Sequence, residues 1–168
     1  CIRHSMCMGK PMGAGMPLSA ILAKRDMIDG WETGHFYTSS SAESLLTCVS
    51  SLAAIEIILE GSLHKTAQKL GEYLMTELRN SIGDDRSVGD IRGMGLLVGI
   101  ELVKNKDTRE PDPEKARRVF NRAFEKGVLL NQISGAYDQV VRIVSPLTVT
   151  TEQVDRLIAV ISEVFKET

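Results

Sequence analysis

Between Leu45 and Leu59 the apolar residues Leu45, Val49, Leu52, Ile55 and Leu59 recur every three to four positions. That spacing lays one apolar stripe along a helix, which starts at about Ser44 and stops at Gly61. A second helix is predicted from Ser62, with Leu63, Ala67, Leu70, Leu74 and Leu78 on one face and Gly83 ending it. Upstream the pattern is different. Short apolar stretches alternate with glycine and proline through residues 1–30, and Gly9, Pro11, Gly13, Gly15 and Pro17 mark a loop. Leu18–Ala23 reads as a short buried strand, and Trp31–Ser41 as a polar, hydroxyl-rich loop.

Downstream of Gly83 the periodicity changes again. Val88–Gly95 reads as a glycine-punctuated turn, and Leu96–Val103 (LLVGIELV) as a strand buried on at least one face. Asp112-Pro113 opens a helix, with Asp as N-cap and Pro at the first helical position. Ala116, Val119, Phe120, Ala123 and Phe124 supply its apolar face, and Gly127 closes it. Val128–Leu130 and Val140–Val144 read as short strands. Thr150-x-x-Gln153 resembles a capping box ahead of a last helix carrying Val154, Leu157, Ile158 and Ile161. From about residue 86 the order is strand, helix, strand, strand, helix, a small α+β layer. Residues 1–60 read as the end of a larger domain, 61–85 as a connecting helix, and 86–168 as a small C-terminal α+β domain.

Composition narrows the partners. With 43% hydrophobic and 25% charged residues, a packed core is within reach and disorder is not expected. A net charge of -2 with scattered Lys and Arg argues against nucleic acid or an anionic membrane as partner. No apolar run is long enough to cross a bilayer, and CIRHSMCMGK lacks the charged start and apolar centre of a signal peptide. Cys1, Cys7 and Cys48 are odd in number and lack metal-like spacing, so free thiols in a reducing cytoplasm are the simplest reading. The chain begins at Cys1 rather than Met, and strand-like sequence starts at once, as a fragment would begin.

Lys10 is the first candidate for chemistry. It is not a P-loop lysine, because no glycine stands five positions before Gly9 and Pro11 replaces the Ser or Thr. Composition alone favours an exposed structural lysine; a lysine that attacks an aldehyde would need partial desolvation to lower its pKa. Arg142, in the strand-like run, reads locally as a structural salt-bridge former. His4, His35 and His64 show neither metal nor triad spacing, so no metal site is predicted. Gly93-x-Gly95 precedes a strand rather than a helix, which removes a dinucleotide reading.

Three blocks alter that balance. Gly9-Lys10-Pro11-Met12-Gly13-Ala14-Gly15-Met16-Pro17-Leu18-Ser19-Ala20 is similar to the segment around the pyridoxal-phosphate (PLP) lysine of class III aminotransferases of the ornithine and 4-aminobutyrate type. Asp90-Ile91-Arg92-Gly93-Met94-Gly95-Leu96-Leu97-Val98-Gly99-Ile100-Glu101-Leu102-Val103 and Val141-Arg142-Ile143-Val144-Ser145-Pro146-Leu147 continue the likeness in the family's order and at about its spacing. The resemblance implies an α/β fold of PLP-dependent transferase fold type I, present in part, with an α+β C-terminal domain. It implies amino-group transfer between an amino acid or amine and a 2-oxo acid. Lys10 would be the Schiff-base lysine, moving the proton between the substrate's α-carbon and the cofactor's C4′, and Arg142 would hold the substrate carboxylate.

The resemblance also implies a homodimer with shared active sites, in which a hydroxyl reaches the cofactor phosphate of the partner subunit. Thr38, Ser39, Ser40 and Ser41 occupy that place, but Ala42-Glu43-Ser44 stands where the family has Gly-Asn-Pro. Counting back from the following helix favours Ser40, whereas Phe36-Tyr37-Thr38 favours Thr38 or Ser39; a solvated capping loop is the alternative. The likeness is closest to the dialkylglycine decarboxylase branch, which couples decarboxylation to transamination, and amino-acid racemases share the scaffold. In another class, the chain is a non-catalytic piece. The family's acidic partner of the pyridine nitrogen, its stacking aromatic and its main phosphate loop lie upstream of the lysine.

Overall fold

The computed structural model describes residues 5–28 and 44–167, and within these not the side chains of Lys10 and Ile28. Thr38, Ser39, Ser40, Ser41, His4, His35 and the Trp31–Ser41 loop lie outside the described residues. The chain divides into two compact units, Cys1–Ser62 and Leu63–Thr168.

In the first unit β1 (Ser5–Met8) pairs antiparallel with β2 (Ala20–Ala23), Met8 facing Ala20 and Ser5 facing Ala23. The residues between them are not plain loop. Lys10–Gly13 form one turn of 3-10 helix, and Ala14 (φ 50°) and Gly15 (φ 97°) then reverse the chain in left-handed conformations. Pro11 favours the helical turn because its ring presets φ, and Gly15 makes the reversal without a Cβ to clash. A single helical turn, α1 (Arg25–Ile28), follows β2.

Helix α2 (Leu45–Glu60) begins at Ser44, whose Oγ accepts from Thr47 N, and ends at Gly61. Its apolar stripe is not the covered side. Leu45, Leu52 and Leu59 are 82%, 60% and 61% exposed, while Thr47 and Ser51 are buried. The covered face runs through Thr47, Ser50, Ser51, Ala54 and Ile58, also at helical spacing. Leucine, isoleucine and valine surround most of this helix, so their periodicity singles out no side. The hydroxyl face is the one small enough to approach the 3-10 turn, where Ser50 Oγ donates to the Gly13 carbonyl at 3.0 Å.

The second unit opens with α3 (Leu63–Ile82) and builds a four-stranded antiparallel sheet in the order β3–β4–β6–β5. Its strands are β3 (Val88–Met94), β4 (Leu97–Leu102), β5 (Gln132–Ser134) and β6 (Val140–Val144). Val88–Gly95, read as a turn, is thus a strand. Its apolar alternation is broken by a bulge between Val88 and Asp90 and by glycines. Those glycines serve close packing: a Cβ on Gly93 would stand 2.3 Å from the Leu97 carbonyl oxygen. Val128–Leu130 is not a strand but the approach to one, burying Leu130 and exposing Leu129. The order from residue 86 is therefore strand, strand, helix, strand, strand, helix.

Helices α4 (Pro113–Glu125) and α5 (Thr151–Glu167) join α3 against the sheet. Asp112 Oδ1 caps α4 by accepting from Lys115 N at 2.8 Å, and Gly127 (φ 80°) leaves the helix in the left-handed conformation typical of its stop. Thr150 and Gln153 exchange two hydrogen bonds, a complete capping box. Phe124, expected in the apolar face of α4, is instead 63% exposed. Leu74, Leu78, Ile100, Leu102, Val119, Val141 and Ile161 form a fully buried core, each side chain stabilising the unit by about 1.5–3 kcal/mol. Lys115 is buried as well, its Nζ 3.7 Å from Asp85 and 5.3 Å from the centre of the Phe165 ring, so its charge is compensated.

Candidate active site

Alternation along β4 sends Val98, Ile100 and Leu102 into that core and leaves Leu97, Gly99 and Glu101 on the other face. Register carries this across the sheet: Arg92 of β3 pairs with Gly99, Gly99 with Arg142 of β6, and Arg142 with Gln132 of β5. Directly paired residues share a face. Two arginines therefore stand on the face away from the core on either side of Gly99, where an added Cβ would stand 3.1 Å from Val140 Cγ1.

Their surroundings differ. Arg92 Nη1 donates to Glu101 Oε2 at 2.6 Å and to Asp90 Oδ2 at 3.0 Å. These carboxylates, Glu101 foremost, hold its guanidinium above the ordinary arginine range and take up its charge. Arg142, half-buried, donates from Nε and Nη2 to Asn131 Oδ1 at 2.9 and 2.6 Å. Its partner is neutral. The donors of the far edge of Arg142 are the set that takes a carboxylate by two parallel hydrogen bonds.

The other candidate belongs to the first unit. Lys10 opens the 3-10 turn directly after β1, next to Gly9 in extended conformation. A Cβ on Gly15 would meet nothing within 4 Å and one on Gly9 only the Ser19 Cβ at 3.9 Å, whereas one on Gly13 would press on the Leu18 Cβ at 3.3 Å. Among the described residues no group of His, Cys, Asp and Glu could hold a metal ion, and no single helix is long and apolar enough to cross a membrane. Cys7 and Cys48 are exposed free thiols.

Two residues at these sites were not visible beforehand. Asn131 grips Arg142 from the start of an edge strand that its polar sequence, Gln132-Ile133-Ser134, does not announce. Ser50 supports the Lys10 turn from a helix face that the apolar periodicity had turned outward. An asparagine just before a strand, and hydroxyls repeating at helical spacing, were the available signals.

Comparison with known proteins gives these positions a context. The family described as "Aminotransferase class-III" matches residues 5–165. A leucine/methionine racemase of Thermococcus litoralis is 36% identical over 147 residues, 87% of this chain and 32% of the racemase. A 5-aminovalerate aminotransferase of Pseudomonas aeruginosa is 32% identical over 158 residues, 94% of this chain and 37% of that enzyme. Among solved structures, a Bacillus anthracis aminotransferase superposes with a TM-score of 0.89 at 30% identity, covering 98% of this chain and 39% of its own. The chain thus spans about a third of the length of the curated relatives it matches.

Proposed function

Because the chain belongs to the class III aminotransferases and carries the C-terminal part of their fold type I scaffold, we propose that its full-length protein transfers an amino group between an amino acid or amine and a 2-oxo acid. The observation that carries this reading is one family match spanning both units, from the Lys10 turn to the Arg142 strand. The residues present fit PLP in part: Lys10, between Gly9 and Pro11, offers a primary amine, the chemistry an aldehyde cofactor needs. The phosphate would take a hydroxyl of Thr38, Ser39 or Ser40, an assignment left open among the three.

In this reading Lys10 Nζ would hold the cofactor and then move the proton from the substrate's α-carbon to the cofactor's C4′. PLP supplies an electron sink for the charge left at that carbon. Arg142 binds the substrate carboxylate. Residues 1–60 serve as the end of the cofactor-binding domain and 86–168 as the small domain, into whose core the helix of segment 61–85 packs. The remaining cofactor contacts come from residues outside this chain, so these 168 residues alone are expected to be inactive, and the active protein to be a homodimer.

A second reading has a specific observation behind it, since the relative that is 36% identical is a racemase. Both chemistries start by removing the α-proton and differ in where it returns. A product assay with the full-length protein separates them. Keto acid formed in step with an aminated acceptor is expected. Racemised amino acid without keto acid would replace the leading reading, and stoichiometric carbon dioxide would move it to the decarboxylating branch. Arg142→Ala should raise KM for carboxylate substrates about tenfold or more; unchanged KM for all of them would remove Arg142 from the site.

A further inference from the structure

We propose that Asn131 is a positioning residue that holds Arg142 by one edge and so dictates which edge receives the substrate carboxylate; this rests on the reading that Arg142 binds that carboxylate. The guanidinium has five N–H groups in a rigid plane. Asn131 Oδ1 accepts from Nε and Nη2 together, so the side edge of the fork is occupied. What remains in parallel is the Nη1–Nη2 end, two N–H groups spaced for the two oxygens of a carboxylate. The orientation of the amide follows from chemistry, because arginine presents donors only and Oδ1 is the acceptor of the pair.

Asn131 is itself fixed to the strand it serves. Its backbone N–H donates to the Arg142 carbonyl at 3.1 Å, so one residue grips both main chain and side chain of the other. The neutrality of the partner is the second half of the inference. Arg92, on the same face, is anchored by two carboxylates that consume its charge. An aspartate at 131 could hold Arg142 in the same place, but it would compete with the substrate for the same positive charge. Asparagine orients without neutralising.

The test uses the PLP-loaded full-length protein with Asn131→Ala, Asn131→Asp and Arg142→Ala. It compares KM and kcat for a 2-oxo acid and for an amine lacking a carboxylate, and measures butyrate binding by calorimetry. Asn131→Ala should raise the 2-oxo acid KM and the butyrate Kd about five- to tenfold, with kcat and the amine KM nearly unchanged. Asn131→Asp should weaken both carboxylates at least as much while its melting temperature holds. Asn131 is exposed, so neither change opens the core. Native carboxylate binding in Asn131→Asp would overturn the proposal, as would an Asn131→Ala variant losing amine and carboxylate turnover alike. If Arg142→Ala raises KM and Asn131→Ala does not, the positioning role fails and the carboxylate role stands. If Arg142→Ala changes no carboxylate KM, the underlying reading fails first.

Discussion

Helices α2 and α3 follow one another along the chain and bury opposite kinds of surface. Helix α3 sends Ala67, Gly71, Leu74, Leu78 and Ile82 inward and shares its core with the sheet and α5. Helix α2 covers Thr47 and Ser51 and leaves Leu45, Leu46, Val49, Leu52, Ile57 and Leu59 exposed. The second unit therefore contains what holds it together. The first keeps its Lys10 turn in place through a two-stranded ribbon and a serine hydroxyl, with its apolar surface uncovered among the described residues. Such a surface is an interaction liability or an interaction site rather than a source of stability in itself.

The contrast can be broken by substitution. The largest effect is expected at Leu74→Ala, a fully buried side chain whose loss should cost about 2–5 kcal/mol of unfolding free energy by denaturant titration. Gly71→Ala comes next. The added Cβ would stand 1.9 Å from the Gly95 carbonyl oxygen, so helix and β3–β4 turn must part, at about 1–3 kcal/mol by the same measurement.

A smaller effect is expected from acid. Partial burial pushes the Asp85 carboxyl up, but two hydrogen bonds from Ser87 and the nearby charges of Lys115 and Lys106 outweigh it and hold the group below its ordinary value. Its contribution is therefore complete above the unfolded carboxylate value of about 3.9 and is lost as pH falls through the folded one. Asp85→Asn should flatten that part of the stability profile; an unchanged acid limb would count against the assignment. The smallest change is expected at Leu52→Ala, within about 0.5 kcal/mol, because this side chain is already in solvent. A loss matching that of Leu74→Ala would erase the distinction between the helices.

Legibility followed the range of the interactions. Asp112 and the Thr150–Gln153 pair were readable because a cap is settled within four residues. The strand Val140–Val144 was readable from a short β-branched run; Arg142 was singled out only by the family resemblance, and its local reading as a salt-bridge former gives way to the neutral Asn131. The inward face of α2 was not, since periodicity shows that stripes exist but not which one meets a partner. Strand β3 was hidden by a bulge and by glycines whose purpose, close approach to β4, appears only in the pair. Asn131 was missed because its partner lies eleven residues away across a hairpin.

Covalent capture of the cofactor tests the central claim most directly. Full-length protein loaded with PLP is reduced with borohydride, digested and mapped by mass spectrometry. A phosphopyridoxyl group is expected on Lys10 and absent in Lys10→Ala. Modification of a different lysine, or of none while activity persists, would contradict it.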